Sequence, residues 1–449
     1  MVPTLVRLRI ESATDLIQFS QCRMPPKACA GTLYVCKMVQ LNFVDLFAGA
    51  GGFSEGFVRA GFRPVAHVEM DGHACATLRT RIAFHELRSS KRGMQLYERY
   101  LRNEITIGQL YNAVNKDLLA QVLQAQISWE TIGDIFQRID ELVAWRKVHV
   151  IVGGPPCQAY SVVGRARDPQ GMQNDRRNYL YQYYGEVLRR YQPEFFVFEN
   201  VLGLLSAGNR SYFEEMQALF KYCGYALDFK VLNAADYGVL QERKRVILVG
   251  RRMATTFEFA WPNPTENSFQ VGSDLFPDLP FLKAGDAIIA LPYARRPTKY
   301  LKQSGIRNGI SFVSQHITRP HHPRDLEIYR IAALQLQNEG NRLKYSELPE
   351  DLRSHQNQED FSDRFKVVNP NGKSHTLVAH ISKDGHHFIH PDPEQNRSIS
   401  VREAARIQSF PDDYFFEGGR TAAFKQIGNA VPPLLAEAIG EALRGYFKD

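Results

Sequence analysis

From residue 40 onward, short dense apolar runs alternate with longer stretches whose apolar residues recur at helical spacing. The runs Leu41–Phe47, Val148–Val152, Phe195–Phe198 and Val246–Val249 are rich in Val, Ile, Leu and Phe. They read as strands buried on both faces. The intervening stretches, such as Ile132–Lys147 and Tyr179–Tyr191, read as helices. Strands alternating with helices predict an α/β fold, a mostly parallel sheet covered on both faces. In such folds ligands bind beyond the carboxyl ends of the strands.

The pattern divides the chain. Past residue 260, Pro262, Pro264, Pro277, Pro280 and Pro292 interrupt the sequence and the alternation fades. We read a first domain over residues 39–280 and a second, smaller one over 281–420. Helical periodicity over Leu434–Phe447 places a helix in 421–449 that returns to the first domain. Residues 1–38 show neither period, and Met38 directly precedes the first strand. They read either as a flexible extension or as a stretch upstream of a start at Met38.

Composition narrows the class. With 44% hydrophobic and 23% charged residues among 449, the chain has the make-up of a globular protein. No apolar run approaches the roughly 18 residues of a membrane helix. Arg7 and Arg9 interrupt the first apolar stretch, which argues against a secretory signal. Six cysteines (22, 29, 36, 75, 157 and 223) form no short Cys-x2-Cys pair, so the chain reads as intracellular with reduced thiols. The histidines at 375, 380, 386, 387 and 390 lack the partners of a metal site and read as an ordinary polar loop, with no metal expected.

The net charge of +7 is modest, but residues 291–330 concentrate it. Arg295, Arg296, Lys299, Lys302, Arg307, Arg319, Arg324 and Arg330 face only Asp325 and Glu327 there. A polyanion-binding surface and a solvated face both fit that excess.

Four short segments carry chemistry. Phe47-Ala48-Gly49-Ala50-Gly51-Gly52-Phe53-Ser54 is a glycine-rich turn between a strand and a helix, where backbone approaches a ligand closely. Glu69 follows Gly49 by 20 residues, at the end of the apolar run Pro64–Val68, and suits ribose hydroxyls. Ser54 stands in place of the last glycine of the dinucleotide fingerprint, which disfavours a nicotinamide cofactor. Val148–Val152 leads into Gly153-Gly154-Pro155-Pro156-Cys157-Gln158, a rigid turn with a cysteine placed as a nucleophile. Phe195–Phe198 ends in Glu199-Asn200-Val201, a carboxyl among apolar neighbours suited to proton donation. Finally, Gln241-Glu242-Arg243-Lys244-Arg245 enters a strand, and alternate residues of an extended segment share a side, so Arg243 and Arg245 are expected to face one ligand.

In this order the segments resemble the DNA cytosine-5 methyltransferase family. Arg402-Glu403-Ala404-Ala405-Arg406-Ile407-Gln408-Ser409-Phe410-Pro411 and Gln426-Ile427-Gly428-Asn429-Ala430-Val431-Pro432-Pro433 match its later motifs. The resemblance covers residues 40–449 except about 281–370, where the family keeps its variable target-recognition region. It implies a Rossmann-like, S-adenosylmethionine-dependent methyltransferase sheet with a smaller target-recognition domain. It further implies methyl transfer to C5 of cytosine in a short sequence of double-stranded DNA, through a flipped base.

By that resemblance Cys157 attacks C6, Glu199 engages N3, Arg245 holds O2 and Arg243 supports the same site. The cofactor residues carried over are Phe47, Gly49, Gly51, Gly52, Glu69, Met70, Pro156, Leu180, Asn429 and Val431. Met70 replaces a larger aromatic, and both Asp117 and Asp134 fit the acidic residue near the adenine. Gln158, then Ser161, Arg165 and Arg177 of a mobile loop over 161–177, and Arg295, Arg296 and Lys299 are the expected DNA contacts. A compact cytoplasmic monomer of the bacterial restriction–modification type is implied, any cognate endonuclease acting separately. A tRNA cytosine-5 methyltransferase is the nearest rival, but its usual Cys-Phe-Thr tripeptide does not occur here. A catalytically inactive DNA-binding relative is the other, and Cys157 together with Glu199 argues against it.

Overall fold

The computed structural model describes residues 40–156, 179–254, 258–265, 267–353 and 364–447. The predicted strands form one seven-stranded sheet. β1 (Asn42–Leu46), β2 (Arg63–Glu69), β3 (Val122–Gln124), β4 (Val150–Gly153) and β5 (Phe195–Asn200) run parallel, in the order β3-β2-β1-β4-β5. β7 (Lys244–Arg252) joins β5 antiparallel, and β6 (Tyr225–Asn233) closes the edge against β7. β1 and β4 are buried at every position, which explains why their sequences read as continuous apolar runs.

Helices cover both faces. On one, α1 (Gly52–Arg59) packs along α10 (Pro433–Arg444), and Phe43, Phe57, Val197 and Ile439 share a core. On the other, α4 (Ile132–Val143), α5 (Leu180–Tyr191) and α6 (Ser211–Tyr222) cover Val44, Ile151 and Phe196. α2 (Gly72–Leu87) and α3 (Lys91–Leu101) lie beyond β2. The chain passes from β1 outward to β3 and then returns to place β4 on the opposite side of β1. That reversal is a topological switch point at the carboxyl ends of β1 and β4, where folds of this kind hold their ligand crevice.

Regular structure thins out past β7, in keeping with the prolines there. β8 (Ala287–Pro292) and β9 (Phe312–Ile317) form a two-stranded antiparallel sheet, followed by α7 (Pro323–Glu339). Then come α8 (Val401–Ile407) and α9 (Arg420–Asn429). Buried ion pairs hold much of this region. Arg397 donates both terminal nitrogens to Glu403 at 2.7 Å, and Arg406 bridges Asp278 and Asp412 at 2.6 Å each. Arg81 of α2 ties this region to the sheet by pairing with both Glu55 and Asp413 at 2.7 Å.

The histidine segment is a loop, as its composition suggested, but several of its rings are buried rather than solvated. His375 stacks on Phe388 at 4.9 Å, His386 packs edge-on to Phe365 at 5.1 Å, and His390 is only 4% exposed. Burial pushes His375 and His390 down to about 4, so neutral imidazoles serve there as flat, half-apolar core groups. Among the described residues no cluster is suited to a metal, and no helix is long and apolar enough to cross a membrane.

Candidate active site

The turn after β1 is shaped by backbone that ordinary residues avoid. Gly49 and Gly51 have φ of 53° and 79°, and Phe47 itself takes φ of 55°. A left-handed non-glycine residue beside the crevice is the kind of local strain that collects at binding sites. A Cβ on Gly51 would approach Leu78 to 2.7 Å and the Tyr414 hydroxyl to 2.9 Å; one on Gly52 would run into the Val431 carbonyl. Above Gly49 there is open space. The turn is thus packed from below and behind, and open on the crevice side.

Glu69 ends β2 next to that opening. Its carboxylate accepts from Gly49 N, Met70 N and Asp71 N, each at 2.8 Å. These bonds fix its position and leave lone pairs for a further donor. Met70 beside it is 58% exposed, and Val431 is buried under α1 while Asn429 is exposed. Leu180 opens α5, and Pro156 is the last described residue before Cys157. Of the two acidic candidates, Asp117 lies on the short helix Lys116–Leu119 that feeds the amino end of β3, away from the crevice. Asp134, in the first turn of α4, follows β3 and is exposed. β3 itself ends in Gln124, in register with Glu69.

On the other side of the switch point, Glu199 near the end of β5 meets Arg245 near the start of β7. Arg245 Nε lies 2.9 Å from Glu199 Oε1, with the two side chains 11% and 13% exposed. Antiparallel pairing of Glu199 with Ile247 brings these two positions together. A Cβ on Gly154 would come to 2.7 Å from Glu199 Oε2, so the glycine after β4 lets this carboxylate reach the turn leading to Cys157. Asn200 Nδ2 donates to Pro155 O at 3.4 Å and holds the same turn. The acid predicted to sit among apolar neighbours has a cation as its nearest partner.

Arg243 and Arg245 have different protein partners. Arg243 is 1% exposed and donates to the carbonyls of Leu377, Gly428 and Ala430. Backbone bonding to β6 continues through Arg243, whose carbonyl accepts from Ala234 N, yet its side chain ends on these carbonyls while that of Arg245 meets Glu199. Arg243 instead anchors the backbone that carries Asn429 and Val431. The basic stretch 291–330 is also divided. Arg307 pairs with Asp278 under Tyr293, Arg319 donates to Ile381, Ser382 and Lys383 carbonyls, and Arg330 pairs with Glu327. Arg295, Arg296, Lys299, Lys302 and Arg324 are exposed. Cys157, Gln158, Ser161, Arg165 and Arg177 lie outside the described residues. Burial and Glu69 push the Cys75 thiol up to about 12, so that cysteine serves packing.

A seven-stranded sheet with one reversed strand, a glycine turn after β1 and an acid at the end of β2 define a Rossmann-like, S-adenosylmethionine-dependent methyltransferase fold. Within that class, the family model for the C-5 cytosine-specific DNA methylases matches residues 41–98 and 82–445, and the chain belongs to this family. It is 39% identical over 439 residues to the type II methyltransferase M.Bpa9945I of Bacillus paralicheniformis, covering 89% of this chain and 98% of that protein. It is 32% identical over 410 residues to the type II methyltransferase M1.HphI of Haemophilus parahaemolyticus, covering 91% and 88%. A solved structure described as a prophage-encoded DNA modification methyltransferase from E. coli shares the fold, with a TM-score of 0.60, 24% identity and coverage of 90% and 99%. The protein is a DNA cytosine-5 methyltransferase.

Proposed function

We propose that this enzyme is the modification methyltransferase of a type II restriction–modification system, acting on cytosine within one short sequence of duplex DNA. It works in the cytoplasm as a monomer, with a cognate endonuclease as a separate protein. The observation that carries the catalytic reading is the Glu199–Arg245 pair at 2.9 Å, set against the glycine that precedes Pro155-Pro156-Cys157.

S-adenosylmethionine fits the crevice. The space above Gly49 accepts a group that no side chain fills, and Glu69 is fixed beside it for ribose hydroxyls. By the family resemblance Phe47, Gly51, Gly52, Met70, Pro156, Leu180, Asn429 and Val431 also contact the cofactor, and Asp134, which follows β3 and is exposed, is the better of the two acidic candidates. When bound, the cofactor supplies an electrophilic methyl group.

The protein's own residues make cytosine able to accept it. C5 is a poor nucleophile, so the Cys157 thiolate adds to C6 and the ring electrons move toward N3 and O2. Glu199 holds a proton at N3 and Arg245, locked against Glu199, donates to O2, so charge developing on the ring meets fixed donors. C5 then carries the electron pair that forms the new carbon–methyl bond. A base removes the C5 proton, and its electrons expel the thiolate from C6. A base within a duplex is out of reach, so the target nucleotide is flipped into this pocket. Gln158, Ser161, Arg165 and Arg177 follow Cys157 in sequence and contact the DNA around it, while the region 281–420 presents Arg295, Arg296 and Lys299 to phosphates.

The test is methyl transfer from labelled S-adenosylmethionine to unmethylated duplexes that together hold every short context, with 5-methylcytosine mapped by position. Methylation confined to one motif, and absent with Cys157→Ala, is the expected result. Transfer to tRNA instead of DNA overturns the substrate, and transfer surviving Cys157→Ala overturns the nucleophile.

A further inference from the structure

Beneath the Gly49–Gly52 turn lies a polar cluster that the chemistry above leaves unused. Asp45 of β1 is 1% exposed and stands opposite His67 of β2, itself 2% exposed. Ser54, in the first turn of α1, sits between them. Its hydroxyl donates to Asp45 Oδ2 at 2.6 Å and meets His67 Nδ1 at 3.1 Å. His67 Nε2 is buried with no hydrogen-bond partner, which suits a neutral ring.

Glu417 is held by the Thr80 and Tyr100 hydroxyls, but most other buried carboxylates among the described residues face guanidinium groups: Glu55 meets Arg81, Glu403 meets Arg397, and Asp278 and Asp412 meet Arg406. Asp45 does not. The titratable or charged groups around it are His67 and Glu69 from β2, Tyr184 from α5 and Tyr414 from the segment after α8; β4 places Val152 opposite it. None of these is a cation at neutral pH, since burial pushes His67 down to about 4. Burial, opposed by the Ser54 hydroxyl and reinforced by Glu69, pushes Asp45 up to about 7. Its proton is therefore exchangeable near neutral pH, two residues ahead of Phe47.

We propose that Asp45 is the residue by which the glycine turn distinguishes a cationic methyl donor from its neutral product. The inference rests on reading that turn as the S-adenosylmethionine site. The donor carries a sulfonium charge, and the product loses that charge with the methyl group. A cation held beyond the end of β1 favours the ionised Asp45, which releases its proton to solvent. Loss of the cation lets the carboxyl recover a proton. By reciprocity, the factor by which the cation promotes ionisation is the factor by which ionised Asp45 tightens the donor. One unit of pKa displacement corresponds to about a tenfold change in that preference.

Isothermal titration calorimetry in buffers of low and high ionisation enthalpy counts the protons released at pH 7. Wild-type protein is expected to release more protons on binding S-adenosylmethionine than S-adenosylhomocysteine. Asp45→Asn keeps an acceptor for Ser54 and is expected to remove the Asp45 share, narrowing the donor-to-product affinity ratio by roughly five- to tenfold. The amino group of each ligand titrates in both proteins, so the difference between wild type and variant isolates Asp45. Identical proton counts in the two proteins, or an unchanged affinity ratio, overturn the inference. Ser54→Ala removes the hydroxyl that favours the carboxylate and should move the pH midpoint of the affinity ratio upward; an unmoved midpoint also overturns it. Failure of wild type to bind either ligand overturns the cofactor reading itself, and the inference with it.

Discussion

Two arginine–carboxylate pairs in this enzyme have similar geometry and opposite uses. Arg245 and Glu199 lie 2.9 Å apart at the crevice, each side chain a little over a tenth exposed. Arg406 and Asp412 lie 2.6 Å apart with side chains 0% and 1% exposed. The first pair keeps some exposure, and the Glu199 carboxylate retains lone pairs for a further partner. The second is saturated, because Arg406 also donates to Asp278 and the Leu275 carbonyl, and Asp412 also accepts from Tyr293. In the sheet, strand ladders satisfy the backbone, so a charged pair is available for chemistry. In the irregular region from 281 to 420 many carbonyls have no ladder partner, and buried guanidinium groups supply the donors. Arg402 does this alone, donating to the carbonyls of Ser314, Pro411 and Tyr414.

Exchanging the roles of the two pairs gives the largest effects. Glu199→Gln should lower kcat by about 10²- to 10⁴-fold, the usual contribution of a positioned proton donor, with little change in the unfolding midpoint. Arg406→Met should do the reverse. It leaves Asp278 and Asp412 buried without their shared cation, a loss on the order of 3–5 kcal/mol. Chemical denaturation alongside steady-state kinetics on both variants checks the pair of outcomes. A Glu199→Gln enzyme that is unstable but active per folded molecule would reverse the assignment.

Acid should separate the two regions next. His316, His321, His375 and His390 of the irregular region are all pushed down to about 4 by burial. In the unfolded chain they titrate near 6.5, so the stability they contribute is complete above about pH 6.5 and falls as pH drops toward 4. Each contributes a loss on the order of 1–2 kcal/mol by pH 5. In the sheet, Asp45 works in the other direction. Its folded pKa is raised, so its contribution is greatest below about pH 4 and is lost as pH rises through about 7. His67, down to about 4, offsets it there. Hydrogen exchange at pH 7 and pH 5 should show protection falling first in residues 281–420. Equal loss in β1 and β4 would count against the distinction.

The same contrast explains how much of the molecule is legible in its sequence. β1, β4 and β5 announce themselves because strands buried on both faces are mostly apolar, with polar residues such as Asp45 and Glu199 as exceptions. The glycine turn is legible because its backbone angles exclude most side chains, and Glu69 because its spacing from Gly49 follows from strand–helix–strand geometry. Arg243 misleads because alternation along an extended segment does not fix where a long side chain ends, and here buried carbonyls of Leu377, Gly428 and Ala430 capture it. The histidines at 375–390 mislead because polarity says nothing about burial when aromatic neighbours such as Phe365 and Phe388 cover them. Asp45 gives no signal beyond one polar residue in a strand, since its partners Ser54 and His67 come from a helix and a neighbouring strand.

The smallest effect divides the basic stretch itself. Arg295 and Arg296 are exposed, whereas Arg307 is committed to Asp278 and lies 3.2 Å from the centre of the Tyr293 ring. Charge in the sequence counts them equally; the structure does not. Replacing Arg295 and Arg296 together by Gln should lower the slope of log affinity for duplex DNA against log salt by about 0.9 for each phosphate left without its cation, and leave the unfolding midpoint unchanged. Arg307→Gln should lower the midpoint and leave the slope alone, because its charge is already spent on Asp278. Binding isotherms at 50–200 mM salt, roughly the range over which counterion release is resolved, measure both. An unaltered slope in the double variant would place the DNA backbone on another face of the region 281–420, and the search would move to Lys302 and Arg324, which are exposed on the same stretch.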